Sequence, residues 1–319
     1  MQERPWMNEH GQVMKRLELH LTYTCPERCV FCSEEHRMQE FRQFPVTWGR
    51  VVTILRMHAE RGVENVHFTG GEPTIHPRFL DILRVSKKLR MRTSIGTIGT
   101  MLAKDSFAQE VLPFLDEALF SIHGASSDIH DMCTRRTGSF IKSMQAIDNC
   151  TKYGQNFGLY VNTVVTNLNV HNIPETVEMV DGLGAQLMVI SNTTPEGLGF
   201  DNYKELAVSL EKLQDMVEQI LEKKPKMVVR FFGFPMCILS TAATWSNDIH
   251  WSPRVTVEWS STKLETEKIV SFDGVYSWKP DRKRVHVPTC TTCSRKEICM
   301  GVFDKYTELW DTTALVPYT

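Results

Sequence analysis

The sequence predicts an α/β protein, with a partial (β/α)6 barrel over residues 1–225 and a small β-rich domain over residues 226–319. Three observations carry this. Strand-like and helix-like segments alternate six times over about 210 residues, a pattern that calls for a parallel sheet with helices outside it. The alternation stops at Pro225, and four of the seven tryptophans then fall within 34 residues. The 319 residues are 42% apolar and 23% charged, which supplies a full core and excludes a disordered or collagenous chain.

The elements follow in order. Leu17 to Thr22 alternates apolar and polar residues and reads as the first strand. Thr47 to Arg61 is helical, with Thr47 as N-cap. Val66 to Phe68 is a strand running into Thr69-Gly70-Gly71-Glu72-Pro73. Phe79 to Leu89 is helical, Arg92 to Ile95 strand-like, and Phe107 to Phe114 a short helix. The alternation continues with a strand at 118–122, a helix at 140–153, a strand at 159–165, a helix at 173–183 and a strand at 186–190. Tyr203 to Lys223 reads as one long amphipathic helix. Beyond Pro225, residues 254–259 and 268–272 read as strands, and Asp273-Gly274 is a hairpin turn signal leading into 275–278. The clustered tryptophans read as core of the C-terminal domain.

Lys plus Arg is 36 and Asp plus Glu is 38, a net charge of −2, so no nucleic-acid partner is indicated. No apolar run reaches the roughly 18 residues of a membrane span, and the polar N-terminus carries no secretory signal. The expected location is cytoplasmic. In a reducing cytosol the nine cysteines are metal ligands or reactive thiols before they are disulfides. They cluster at Cys25, Cys29 and Cys32, and again at Cys290, Cys293 and Cys299.

Cys25 to Cys32 forms a CxxxCxxC loop at the C-terminal end of the first strand, the catalytic face of a β/α barrel. Three thiolates within eight residues can wrap one face of a cubane cluster and leave the fourth iron open to an amine and a carboxylate. Zinc is the other reading; it needs a fourth ligand, for which His36 is the nearest residue. On the same barrel face, Gly70 and Gly71 allow close backbone approach to a ligand, and Glu72 can pair with an ammonium group.

The CxxxCxxC loop with aromatic Phe31, followed by Gly70-Gly71-Glu72-Pro73, resembles the radical SAM superfamily. Weaker landmarks fall in order over residues 15–200. Thr97-Ile98-Gly99 stands where the family has Thr-Asn-Gly, and Ser121-Ile122-His123-Gly124 stands where Ser-x-Asp-Gly is usual. The resemblance implies a TIM-like partial barrel with a [4Fe–4S] cluster on Cys25, Cys29 and Cys32, its open iron holding S-adenosylmethionine. Gly70, Gly71, Glu72 and Pro73 would meet the amino group, and Phe31 would lie against the adenine. Ser121, His123 and Asn162 would contact ribose and carboxylate. Reductive cleavage would give methionine and a 5′-deoxyadenosyl radical that abstracts a substrate hydrogen. An external electron donor of flavodoxin or ferredoxin type follows from that chemistry.

Cys290 to Cys299 is CxxCx5C, similar to the SPASM and twitch auxiliary-cluster domains. Lys279 and Phe303 stand where that family has further cysteines, so one auxiliary [4Fe–4S] cluster is expected rather than two. Cys237 supplies its fourth ligand. Cys133, placed in the loop after the fourth strand, is a candidate thiol for returning a hydrogen atom to a substrate radical. Cys150 is packing. The resemblance points to modification of a ribosomally made peptide. Only about 16 residues precede the first strand, so a separate peptide-recognition protein is expected. A small-molecule oxidoreductase of a cofactor or antibiotic pathway, and a non-catalytic zinc-binding protein, are the alternatives.

Overall fold

The structure is a computed structural model and describes residues 5–264, 267–280 and 282–319. Seven strands alternate with helices: β1 (Arg16–Thr22), α1 (Glu35–Phe41), α2 (Trp48–Glu60), β2 (Asn65–Gly70), α3 (Phe79–Lys88), β3 (Arg92–Thr97), α4 (Asp105–Val111) and β4 (Glu117–Ser121). There follow α5 (Ser127–Thr134), α6 (Ser139–Tyr153), β5 (Gly158–Val165), α7 (Ile173–Gly182), β6 (Leu187–Asn192), α8 (Leu198–Asp201), α9 (Tyr203–Leu206), α10 (Leu210–Lys223) and β7 (Val228–Phe232). The chain ends with α11 (Met236–Leu239), β8 (Arg254–Leu264), β9 (Glu267–Ser277), β10 (Arg284–Val285), β11 (Val302–Phe303) and α12 (Asp304–Leu309).

One sheet of nine strands runs β7-β6-β5-β4-β3-β2-β1-β8-β9. Neighbours from β7 to β8 are parallel, and only the β8–β9 hairpin is antiparallel. The expected partial barrel is therefore present. The expected division at residue 226 falls inside its sheet, because β7 pairs with β6 and Arg254 to Val257 of β8 pair with Arg16 to Leu19.

Strand alternation sets what each face does. On β1, Leu17, Leu19 and Leu21 are fully buried against the helix layer, while Arg16 and Glu18 face the barrel lumen. On β5, Leu159, Val161 and Val165 enter the core, and Tyr160 and Asn162 face inward. The helices answer with apolar stripes. In α3, Phe79, Ile82, Leu83 and Ser86 are buried at spacings of three and four. The lumen is thus polar and partly empty, whereas the outer layer is packed.

Four sequence expectations change. The helix expected over 203–223 breaks after Leu206, because extended Ser209 caps α10 by accepting the Lys212 N–H at 3.4 Å. The segment after β4 holds α5 rather than a loop. β7 was not expected. Asp273 and Gly274 are not a turn; they lie within β9, opposite Glu258 and Val257. Eleven paired positions of hairpin ladder outweigh a local turn preference. Among the described residues no helix is long and apolar enough to cross a membrane.

Candidate active site

At the C-terminal ends of the strands a cleft of about 790 Å³ is lined by Cys25, Cys29 and Cys32, with Gly70, Gly71, Ile98, Ser121, His123 and Asn162. The cysteine loop hangs on backbone bonds to other elements. Arg28 and Val30 N–H donate to the carbonyls of Thr134 and Cys133, both at 3.0 Å, and Leu198 N–H donates to Cys32 O at 2.9 Å. The loop after β6 closes in behind it. A Cβ on Gly197, whose φ is +54°, would sit 2.4 Å from Cys32 O.

Gly70 and Gly71 are required by the cysteine loop itself. A Cβ at Gly70, where φ is +115°, would meet Thr22 O at 2.4 Å, and one at Gly71 would meet Thr24 O at 2.1 Å. The strip is held there by Gly71 N–H to Thr22 O at 2.7 Å and Glu72 N–H to Thr24 O at 2.9 Å. The two glycines therefore lock the end of β2 onto the chain leading into Cys25, while their backbone still faces the cleft.

Burial sets the electrostatics. It pushes the Cys25 thiol up to about 12 and the Cys32 thiol up to about 11, and lifts Cys29 well above the usual thiol range. Burial also raises the Glu27 carboxyl to about 8. Binding a metal centre must displace these thiol protons. His123 is held neutral by burial. Its Nδ1 accepts the Val164 N–H at 3.2 Å, which leaves Nε2–H as the ring's donor. Phe31 meets the same ring edge-on, centroids 4.7 Å apart.

The second cysteine group comes together across the sequence. Cys237, Cys290, Cys293 and Cys299 line one pocket. Cys299 Sγ accepts the Met236 N–H at 3.5 Å and the Gly301 N–H at 3.4 Å, so the turn carrying Cys299 is tied to the segment carrying Cys237. Lys279 is exposed, and Phe303 is buried against Gly233.

The sequence profile of the Radical SAM superfamily matches residues 19–180, just over half of the chain. The chain belongs to the radical SAM superfamily. It is 26% identical over 199 residues to a PqqA peptide cyclase of Rhodopseudomonas palustris, a match covering 62% of this chain and 52% of that protein. The chain spans about half the length of the curated PqqA peptide cyclases it matches. Among solved structures, Streptococcus suis SuiB bound to precursor peptide SuiA superposes with a TM-score of 0.59 at 16% identity, covering 76% of this chain and 57% of that one. Native anSMEcpe with bound AdoMet gives a TM-score of 0.63 at 15% identity, covering 94% and 92%. These likenesses establish the radical SAM partial-barrel fold.

Radical SAM enzymes use a [4Fe–4S] cluster and S-adenosylmethionine, and the cleft suits both. Around one tetrahedral zinc, sulfurs at 2.3 Å would lie about 3.8 Å apart. Among the described residues the one three-ligand group with all ligand atoms within 4.8 Å of one another is His20, Glu34 and Glu258. No three cysteine sulfurs among the described residues all lie that close together. In the His20 group Arg37 takes the cation's place, 2.9 Å from Glu258 and 3.3 Å from Glu34. His36, the expected fourth ligand of a zinc site, is instead bound to Asp201 at 2.7 Å.

Three expected site residues, Glu72, Pro73 and Cys133, are placed outside the cleft wall. Glu72 is fully buried and does not line the cleft. Its carboxylate accepts from Thr74 N–H at 3.1 Å and Ile98 N–H at 2.9 Å, and from the Thr74 and Thr97 hydroxyls. It ties the end of β2 to the end of β3. Pro73 opens the short buried turn that follows. Cys133 lies on α5, fully buried behind the cysteine loop with Val30 and Phe31; burial pushes its thiol up to about 12. It is packing, and its carbonyl anchors Val30. The sequence reading missed Thr194, Met38 and Val164 in the cleft wall. Only the tertiary fold brings them there.

Proposed function

We propose that this chain is a radical SAM enzyme that reductively cleaves S-adenosylmethionine and abstracts a hydrogen atom from a peptide substrate. One observation carries the reading: the three-cysteine loop and the Gly70–Gly71 strip are locked together and open into one cleft at the ends of the barrel strands. Bound there, the cluster and S-adenosylmethionine would supply the electron and the 5′-deoxyadenosyl radical. The chain's own residues hold and orient. Cys25, Cys29 and Cys32 take the cluster. The backbone of Gly70 and Gly71 would meet the cofactor's amino group, and Phe31 and Ile98 would give apolar walls for its adenine. His123 Nε2–H, Ser121 and Asn162 offer hydrogen bonds for ribose and carboxylate. Water is thinned out by Met38, Val164 and the β6 loop at Thr194.

Cys237, Cys290, Cys293 and Cys299, which line one pocket, would hold one auxiliary [4Fe–4S] cluster, whose four protein ligands would suit it to electron transfer with a flavodoxin- or ferredoxin-type donor. The peptide substrate is supported by the names of the relatives, a PqqA peptide cyclase and SuiB with its precursor peptide.

Anaerobically reconstituted protein should hold about eight irons and eight sulfides per chain, two cubanes. Changing Cys25, Cys29 and Cys32 together to Ala should remove about half and abolish release of 5′-deoxyadenosine and methionine. Cys237→Ala should remove the other half. Protein that binds only zinc would overturn the reading. Acceleration of 5′-deoxyadenosine release by a small molecule and not by any peptide would redirect the substrate class.

A further inference from the structure

Below the cleft the lumen holds a second cavity of about 1170 Å³. It shares Asn162 as a wall residue with the cleft above it. Its walls are charged in an uneven way. Glu18 on β1 accepts from Arg254 Nη1 at 2.6 Å and stands 3.4 Å from Arg16 Nη2. Its other oxygen accepts the Thr256 hydroxyl at 3.3 Å. The two guanidinium groups hold this carboxyl down at about 2 despite its burial, so it is ionised at any working pH. Two arginines thus share one carboxylate.

The remaining charges around the cavity do not cancel the surplus. Glu117 is taken by Arg92 at 2.9 Å, and Arg282 faces Glu196 at 3.6 Å. His67 is kept neutral, its imidazole pushed down to about 3 by burial and then by Arg16. Arg16 Nε is buried with no hydrogen-bond partner. Arg254 is held in place from the other side by the Trp251 ring, 4.1 Å from its guanidinium carbon. Arg16 and Arg254 keep 28% and 18% of their side chains exposed, so an anion entering the cavity can reach the surplus guanidinium charge, and guanidinium forks match carboxylates in particular.

We infer that Arg16 and Arg254, braced by Glu18 and Trp251, form a carboxylate-binding subsite that grips an acidic group of the substrate inside the barrel. This rests on the peptide reading above and adds a length rule to it. From Glu18 to the top of β1 at Thr22 is four residues, about 13 Å at 3.3 Å per residue. An extended peptide covers that distance in about four residues. The gripped carboxylate, a side chain or a C-terminus, therefore lies about four residues from the position that reacts.

The test is calorimetric titration of the reconstituted holoprotein at low salt with acetyl-tetraalanine as the free acid and as the amide. The acid should bind at least tenfold more tightly. Arg16→Gln and Arg254→Gln should each bring the acid to the level of the amide. Glu18→Gln, which frees the second guanidinium, should widen the difference; a residue that merely supports the fold would not shift preference in opposite directions. Equal binding of acid and amide, no binding of either, or a preference untouched by both arginine changes overturns the proposal. Displacement of the acid by an equal concentration of inorganic phosphate would make this a general anion site and overturn the carboxylate assignment. Cleavage of S-adenosylmethionine by the same wild-type preparation keeps the two readings apart. Protein that cleaves it yet fails to discriminate refutes the subsite alone, and protein that never cleaves it refutes the parent reading.

Discussion

Glu72→Ala separates a carboxylate that serves the cofactor from one that serves the fold. The structure places it in the second class: two fixed backbone donors, Thr74 N–H and Ile98 N–H, and two hydroxyls converge on it. The hydroxyls can turn to other acceptors. The two N–H groups cannot, and a buried donor left unpaired costs about 1–3 kcal/mol. Part of that is returned, because burial already raises the Glu72 pKa against its hydrogen bonds, so removing the charge relieves a desolvation cost. A net loss of about 3 kcal/mol is expected, a fall in Tm of roughly 6–12 °C at about 2–4 °C per kcal/mol. Glu72→Gln keeps the shape and one acceptor, and should lose less. Differential scanning calorimetry of the anaerobic protein gives the stability, and equilibrium dialysis of S-adenosylmethionine gives the affinity. The Gln variant should keep its affinity within about twofold. An Ala variant that melts within a degree of wild type while losing cofactor affinity would refute the assignment and return Glu72 to the cleft.

Three further outcomes follow from the same geometry. Gly71→Ala drives a methyl against Thr24 O, 2.1 Å from the ideal Cβ, so iron analysis should show loss of about four irons while the Cys237 site keeps its share. Cys133→Ala should leave 5′-deoxyadenosine release intact and cost about 1–2 kcal/mol in urea unfolding; lost turnover in a stably folded variant would restore the thiol to the chemistry. Buried His58 on α2 is pushed down to about 4 by burial, below its unfolded value, so its contribution is present above pH 6.5 and fades as pH falls toward 4. At pH 5 the loss relative to pH 7.5 is about 2 kcal/mol. His58→Leu should reduce the pH dependence of unfolding by that amount, and an unchanged dependence would refute it.

The cysteine loop and the Gly70–Gly71 strip were legible because their chemistry is local: ligands three or four residues apart, and glycines where a backbone must pass another. Cys237 could be reached by counting thiols, although only the fold brings it beside Cys299. Glu72 was misread because sequence names a side chain without saying which way it points. At the end of β2 its carboxylate turns back toward Thr97 and Ile98. Residues 228–232 are four apolar residues around Arg230, too short to mark a strand, and β7 becomes one by pairing with β6. Ser209 was a capping signal overlooked inside a strong helical pattern. The Arg16–Glu18–Arg254 arrangement left no trace in the sequence, since its partners lie 236 residues apart.

That separation has a consequence for how the protein is made. β1 needs β8 on its outer edge, and the pairing joins Arg16 to Arg254. At about 5–20 residues per second, ribosomes take roughly 12–48 s to synthesise the stretch between them. Through that interval the first strand has a bare edge, and the cysteine loop it carries stands on an unfinished barrel. A chain stopped at residue 225 would keep this state permanently, lacking β7 as well as β8. A nascent chain thus presents its first cysteines early and closes its barrel wall late. Slow, aggregation-exposed folding is the expected cost of that order.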